Sequence, residues 1–201
     1  MKILIIDNYD SFTYNLYQLV GSILNETNFE IDVIRNNLVD CTMIYNKNYD
    51  RIIISPGPGN PKSTNYFGNC LDIIQNASKV IPTLGVCLGM QGIAIAFGCD
   101  LTKSNIPVHG KQSSITHNEE DLFINIPQNI SVMRYHSLKV IHRNCNQNLE
   151  VTATCMDCNE EEETVMAIKH KSYPIYGIQF HPESFATEAG KQIVSNFLDV
   201  N

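Results

Sequence analysis

The sequence predicts an α/β protein built on a doubly wound, mostly parallel sheet of the flavodoxin type, with a small antiparallel extension in its second half. Three observations carry this expectation. The first hundred residues alternate short apolar runs, "KILIID", "FEIDVIR", "RIIIS" and "VIPTLGV", with stretches of helical spacing, which is the pattern of successive βαβ units. The runs end in turn-forming residues, "DNYD", "PGPGNP" and "GVCLG", as strands do at their carboxyl ends. After residue 110 the pattern becomes short alternating segments with little helix between them, which suits antiparallel pairing.

Each element follows from its residues. "KILIID" is continuously apolar, so it reads as a strand buried on both faces. Asp10 or Ser11 can cap a helix reaching about Leu24, with Phe12, Leu16, Leu19, Val20 and Ile23 on its apolar face. "FEIDVIR" alternates as a second strand, and "RIIIS" is a third that "PGPGNP" stops. A helix from about Asn65 to Asn76 leads into the fourth strand, "VIPTLGV", and "LGMQGIAIAFG" is the helix after it. "KQSSITH", "ISVMRYHSL", "LEVTATC", "TVMAIKH" and "IYGIQF" are the later strands, and a final helix spans about Glu188 to Leu198. The four glutamates at 160–163 read as a solvated loop. With no repeat and no linker, residues 1–201 are expected to form one domain. Ligands of a doubly wound sheet bind outside the carboxyl ends of its strands, which directs attention to the loops after Asp7, Ser55 and Val86.

Composition narrows the class. A net charge of −7 without a Lys/Arg cluster argues against nucleic acid or an anionic membrane as partner. No apolar run approaches the roughly 20 residues of a membrane span, and Asp7 interrupts the first run too early for a signal peptide. The expected location is therefore cytoplasmic or an organelle stroma, a plastid included, and the sequons at Asn25, Asn76 and Asn129 are expected to be chance matches. Seven cysteines, an odd number, fit a reducing compartment better than a disulfide framework. Cys155 and Cys158 form one C-x-x-C without a second pair, so no metal site is expected.

Cys87 stands between Gly85 and Gly89 where a strand gives way to a helix. That spacing has the logic of a nucleophile elbow: the glycines let strand and helix approach through a sharp turn that projects the side chain. The helix N-terminus favours a thiolate, and the N–H of Leu88 can serve an oxyanion. A small cysteine packed in a core gives the same pattern, so a base is needed to decide. "FHPE" offers His181 and Glu183, which an extended backbone biased by Pro182 would place on one side of the chain. Gly57 and Gly59, in a loop stiffened by Pro56, Pro58 and Pro61, offer further amides.

In the order "PGPG", "GVCLG" and "HPE", these motifs resemble those of the triad, or class I, glutamine amidotransferases, and the resemblance covers the whole chain. "DNYDSFTYNL", "VHGK" at 108–111 and "RYHSL" at 134–138 resemble the subgroup whose ammonia serves synthases that make anthranilate or aminodeoxychorismate from chorismate. The resemblance implies that Cys87 attacks the side-chain amide of L-glutamine, that His181 acts as base and then acid, and that Glu183 orients the imidazole. It implies oxyanion N–H groups at Gly57 and Leu88, and glutamine held by Gly57, Gly59, Gln91, Ser137 and Leu138. It further implies that this chain needs no cofactor and that its partner is a chorismate-binding synthase subunit, faced by the loops after Asp7 and around His109. Met90 stands where many relatives carry His and has no assigned role. Amidotransferases serving GMP, CTP or carbamoyl phosphate, and a γ-glutamyl hydrolase, share the triad but not "DNYDSFTYNL". A flavodoxin-like binding module would need a phosphate cradle after the first strand, where "NYDSFT" has no glycine. The choice between anthranilate for tryptophan and aminodeoxychorismate for folate lies in the partner and is not legible in this chain.

Overall fold

Period-two burial organises the first half of the chain. The computed structural model describes residues 1–25, 28–141, 147–156 and 163–200. Cys158, three of the glutamates at 160–163 and the last two residues of the Asn25 sequon lie outside them. In β1 (Lys2–Asp7) every residue after Lys2 is buried, with Ile3 and Ile5 facing one layer and Leu4 and Ile6 the other. The chain continues through α1 (Thr13–Leu24), β2 (Glu30–Arg35), α2 (Cys41–Lys47), β3 (Arg51–Ile54), α3 (Thr64–Phe67) and α4 (Cys70–Gln75) to β4 (Thr83–Val86) and α5 (Leu88–Ala96). The second half comprises β5 (Leu101–Ser114), β6 (Thr116–His117), β7 (Ser131–Val140), β8 (Leu149–Cys155), β9 (Thr164–His170), β10 (Ile175–Ile178) and α6 (Gly190–Leu198).

The main sheet runs β2-β1-β3-β4-β10-β9-β8-β6. Its first five strands are parallel, and β9, β8 and β6 continue it in antiparallel register. Leu16 and Val20 of α1 and Ile193 and Phe197 of α6 cover the face bearing Ile3, Ile5 and Ile53. Ile73 and Ile74 of α4 and Ile93 of α5 cover the face bearing Leu4, Ile6 and Ile52. The expected antiparallel extension thus takes two forms, because β5 and β7 pair in a second sheet of their own. That ribbon is tied to the segment after β10: the N–H groups of His181 and Glu188 donate to the carbonyls of Met133 (3.0 Å) and Ser131 (2.8 Å). No helix among the described residues is long and apolar enough to cross a membrane.

Three local expectations need correction. The single helix expected over Asn65–Asn76 is two, broken at Gly68, whose φ of +51° and closeness to Asn36 O (2.6 Å from where a Cβ would lie) no side chain can match. α2 has no counterpart among the expected elements: it is one short turn pair with only Ile44 buried, held by the Asp40 carboxylate accepting from Met43 N–H (2.7 Å) and closed by Asn48 at φ +53°. The residue before α1 is Phe12, with no side-chain cap; Asp10 instead accepts from Phe12 N–H (2.8 Å) within the preceding turn.

Gly68→Ala should lower stability by about 1–3 kcal/mol, read as a lower urea midpoint at unchanged m-value. An unchanged midpoint would mean that the break between α3 and α4 does not depend on this residue.

Candidate active site

The turn between β4 and α5 is crowded on both sides of Cys87. A Cβ on Gly85 would lie 2.5 Å from the Gly89 carbonyl carbon, and one on Gly89 would lie 2.4 Å from Ile54 O. Strand and helix therefore approach backbone to backbone, which only glycine permits. Cys87 itself sits at φ +53°, ψ −101°, a strained conformation for a residue with a side chain. It is held there by its N–H to Ile178 O (2.8 Å) and by Gln91 N–H to its own carbonyl (3.0 Å). Met90, in the first turn of α5, is fully buried, and a Cβ on Gly177 of β10 would meet its Cγ at 2.8 Å. Its role is packing between α5 and the sheet.

His181 comes three residues after β10 ends. His181 and Glu183 share one side through a turn, not through the extended backbone expected: Ser184 N–H returns to His181 O (3.3 Å), with Pro182 and Glu183 as the central pair. Proline's fixed φ suits the first central position of such a turn. The turn brings Glu183 Oε1 to 2.6 Å from His181 Nδ1 and leaves Nε2 buried without a hydrogen bond. Two rings meet the imidazole edge-on, Phe12 at 5.4 Å and Tyr135 at 5.2 Å between centroids. Thr187 Oγ1 donates to the His181 carbonyl (2.6 Å), fixing the backbone below the ring.

The "SPGPGNP" loop rests on Asn8. Asn8 donates from its backbone to Ser55 Oγ (2.9 Å) and from Nδ2 to Ser55 O (2.8 Å), and Asn36 Nδ2 donates to Asn8 Oδ1 (2.9 Å). A Cβ on Gly57 would lie 2.6 Å from Asn8 Cβ and 2.7 Å from Leu88 Cδ2, so the two amides expected at an oxyanion belong to residues in contact. Leu88 opens α5, where an N–H has no intrahelical acceptor. In the loop after Asp7, Asn8 is buried, while Tyr9, at φ +60° beneath the Arg35 guanidinium (4.4 Å), and Ser11 are exposed. Arg35 in turn pairs with Asp7 (2.6 Å). The amides of Asn8, Asp10 and Phe12 are each taken by a side chain of Ser55, Asp7 or Asp10, so this loop does not have the phosphate cradle a flavodoxin-like module would require.

Between the loop after β3, α5 and β7 lies a cleft of about 170 Å³. Cys87, Gly57, Gly59, Leu88, Gln91, Ser137 and Leu138 all line it, as do Pro58, His109, Tyr135 and His136. His181 and Glu183 stand behind the thiol and do not. Gln91 Nε2 donates to Leu138 O (3.2 Å) and to Gln179 Oε1 (3.0 Å), and Gln179 Nε2 reaches Cys87 Sγ at 3.4 Å. Gln179 is absent from the residues expected at the site; its signal in the sequence is a lone amide in the apolar run "IYGIQF". Among the described residues no three His, Cys, Asp or Glu side chains gather as a metal site.

Residues 4–200 match the family model for glutamine amidotransferase class-I. The chain belongs to the class I glutamine amidotransferases. It is 48% identical over 201 residues to the anthranilate synthase component 2 of Leptospira biflexa, covering 99% of this chain and all of that protein. It is 46% identical to the protein of the same name from Methanothermobacter thermautotrophicus, covering 98% of this chain and 97% of the relative. Among solved structures, a Thermoplasma acidophilum protein assigned to GMP synthase superposes with a TM-score of 0.82 at 26% identity, over 98% of this chain and 92% of that one.

In this amidotransferase the charge state of His181 is set by competing effects. Burial, the largest, favours the neutral ring, yet the neighbouring Cys87 sulfur and the Glu183 carboxylate together push the imidazole from 6.5 up to about 10. The imidazolium is therefore kept through neutral pH and lost as pH rises toward about 10. Glu183→Gln removes one of the groups that favour the charged ring. The alkaline limb of kcat/KM for glutamine should accordingly move to lower pH in that variant, and an unmoved limb would show that Glu183 does not act through the imidazole.

Proposed function

We propose that this amidotransferase hydrolyses L-glutamine at Cys87 and passes the ammonia to a chorismate-binding synthase subunit that forms anthranilate, for tryptophan biosynthesis. The observation that carries this reading is the strained Cys87 turn, with a thiol at the cleft wall, backed by the buried His181–Glu183 pair. The two relatives that align from end to end, both named anthranilate synthase component 2, support the assignment of the partner.

The chemistry follows from the geometry. The Cys87 thiolate adds to the amide carbon of glutamine, and the N–H groups of Gly57 and Leu88 take the oxyanion. Collapse of the tetrahedral adduct breaks the C–N bond as the His181 imidazolium gives its Nε2 proton to the departing nitrogen, leaving ammonia and a glutamyl thioester. Neutral His181 then takes a proton from water, whose oxygen attacks the thioester, and collapse of that adduct releases glutamic acid and restores the thiolate beside the imidazolium. Gln91, Gly59 and the Ser137–Leu138 backbone hold the α-amino and carboxylate end. No step asks for a metal or cofactor. Ammonia released into bulk water near neutral pH would be protonated and lost as a nucleophile, which is why a docked synthase is integral to the function.

Cys87→Ser should abolish glutamine-dependent product formation by the complex while ammonia-dependent synthesis by the partner continues; surviving glutamine-dependent turnover would overturn the mechanism. The partner assignment has its own test. A synthase that co-purifies with this chain, supplied with chorismate and glutamine, should release anthranilate. Aminodeoxychorismate as the product would move the reading to folate synthesis with the same amidotransferase chemistry.

A further inference from the structure

The polar groups beneath the cleft form a chain whose direction is fixed at one end. Leu138 O, a carbonyl, can only accept. Arg134 Nε lies 3.0 Å from His136 Nε2 and can only donate, so His136 carries its hydrogen on Nδ1, 2.9 Å from Leu138 O. Gln91 meets the same carbonyl at 3.2 Å, and an amide oxygen placed there would face another oxygen, so the Gln91 NH2 group occupies that side. Its second hydrogen points to Gln179 at 3.0 Å, which requires the Gln179 oxygen there and turns the Gln179 NH2 group toward Cys87 Sγ, 3.4 Å away. The sulfur thus receives an N–H whose orientation is decided at the far end of the linkage, by a backbone carbonyl.

Gln179 is fully buried, and its backbone N–H is pinned to Met166 O (2.8 Å). It stands two residues before His181, so one short segment carries both the base and this amide. A buried polar group without a partner is costly, and here the linkage from Leu138 to the sulfur is matched donor to acceptor at each link. We infer that Gln179 is a further catalytic residue of the glutamine hydrolysis: its Nε2 hydrogen stabilises the anionic Cys87 sulfur, while its oxygen holds Gln91 in place at the cleft wall. The inference rests on Cys87 being the nucleophile, as proposed above. A neutral donor suits the position because it favours the anion without adding a charge that would compete with the His181 imidazolium. It also ties the wall that would grip the substrate to the atom that attacks it, so its removal affects both.

The test uses Gln179→Met, which keeps the length of the side chain and removes both polar atoms, and Gln91→Met, which removes only the middle of the linkage. Iodoacetamide modification of Cys87 at pH 7, followed by mass spectrometry of its peptide, reads the anionic sulfur directly. A hydrogen bond to a charged group is worth enough to change such a rate by about tenfold. Gln179→Met should slow alkylation and lower kcat by about that factor, with KM for glutamine raised. Gln91→Met should raise KM and slow alkylation less than Gln179→Met does, because Gln179 keeps its donor and loses only the partner that orients it. Gln179→Asn, a milder change whose amide cannot reach the sulfur, should slow alkylation in the same direction and covers the case in which the Met variant does not fold. Alkylation at the parent rate in folded Gln179 variants would overturn the inference while leaving the function intact if Cys87→Ser is inactive. An active Cys87→Ser variant would instead remove the function on which the inference stands.

Discussion

The approach of α5 to the carboxyl ends of β3 and β4 governs the site. Gly89 lies against Ile54 O and Gly85 against Gly89, with no room for a side chain at either position. The backbone must therefore reverse within one residue, and that residue is Cys87, at a φ that glycine would tolerate better. The strain is retained because two hydrogen bonds and the packing of Ile93 and Met90 hold both flanks. From this crowding follow the position of the sulfur, the free amide of Leu88 and the distance to the loop that carries Gly57.

The imidazole sits under a different constraint. His181 is almost wholly buried, and burial alone would keep it neutral. Its charge is maintained only by the Cys87 sulfur and the Glu183 carboxylate placed against it, and the rings of Phe12 and Tyr135 exclude water from its edges. The charge on the imidazole therefore depends on the two groups placed against it.

How much of this the sequence disclosed depends on whether the signal is local. Glycines flanking a cysteine at a strand end, and His and Glu two apart, are patterns within a few residues, so Cys87, His181 and Glu183 are legible as candidates. Gly57, Gly59, Leu88, Gln91, Ser137 and Leu138 became legible through the family resemblance, and the structure brings all of them to one cleft. Pro182 is as suited to the first corner of a turn as to an extended chain, so the sequence does not distinguish the two ways in which His181 and Glu183 can meet. Gln179 carries no local signal because its meaning arises from contacts with residues 88 and 92 positions away in the chain. The burial of Asn8 within an otherwise exposed or half-buried loop likewise comes from Ser55 and Asn36, residues distant in the chain. α2 has too few buried positions to show a helical period, and Gly68 breaks a helix whose apolar spacing runs on across it.

The ribbon of β5 and β7 has a mechanical consequence. It pairs in a sheet separate from the strands that carry Cys87, and its moorings are the carbonyls of Ser131 and Met133 on the stretch that bears His181. The ribbon and His181 are thus coupled, and the bond from Gln91 to Leu138 O ties the same ribbon to the helix that follows Cys87. A displacement of the ribbon would therefore be felt on both sides of the cleft, at the imidazole through Met133 and at α5 through Leu138.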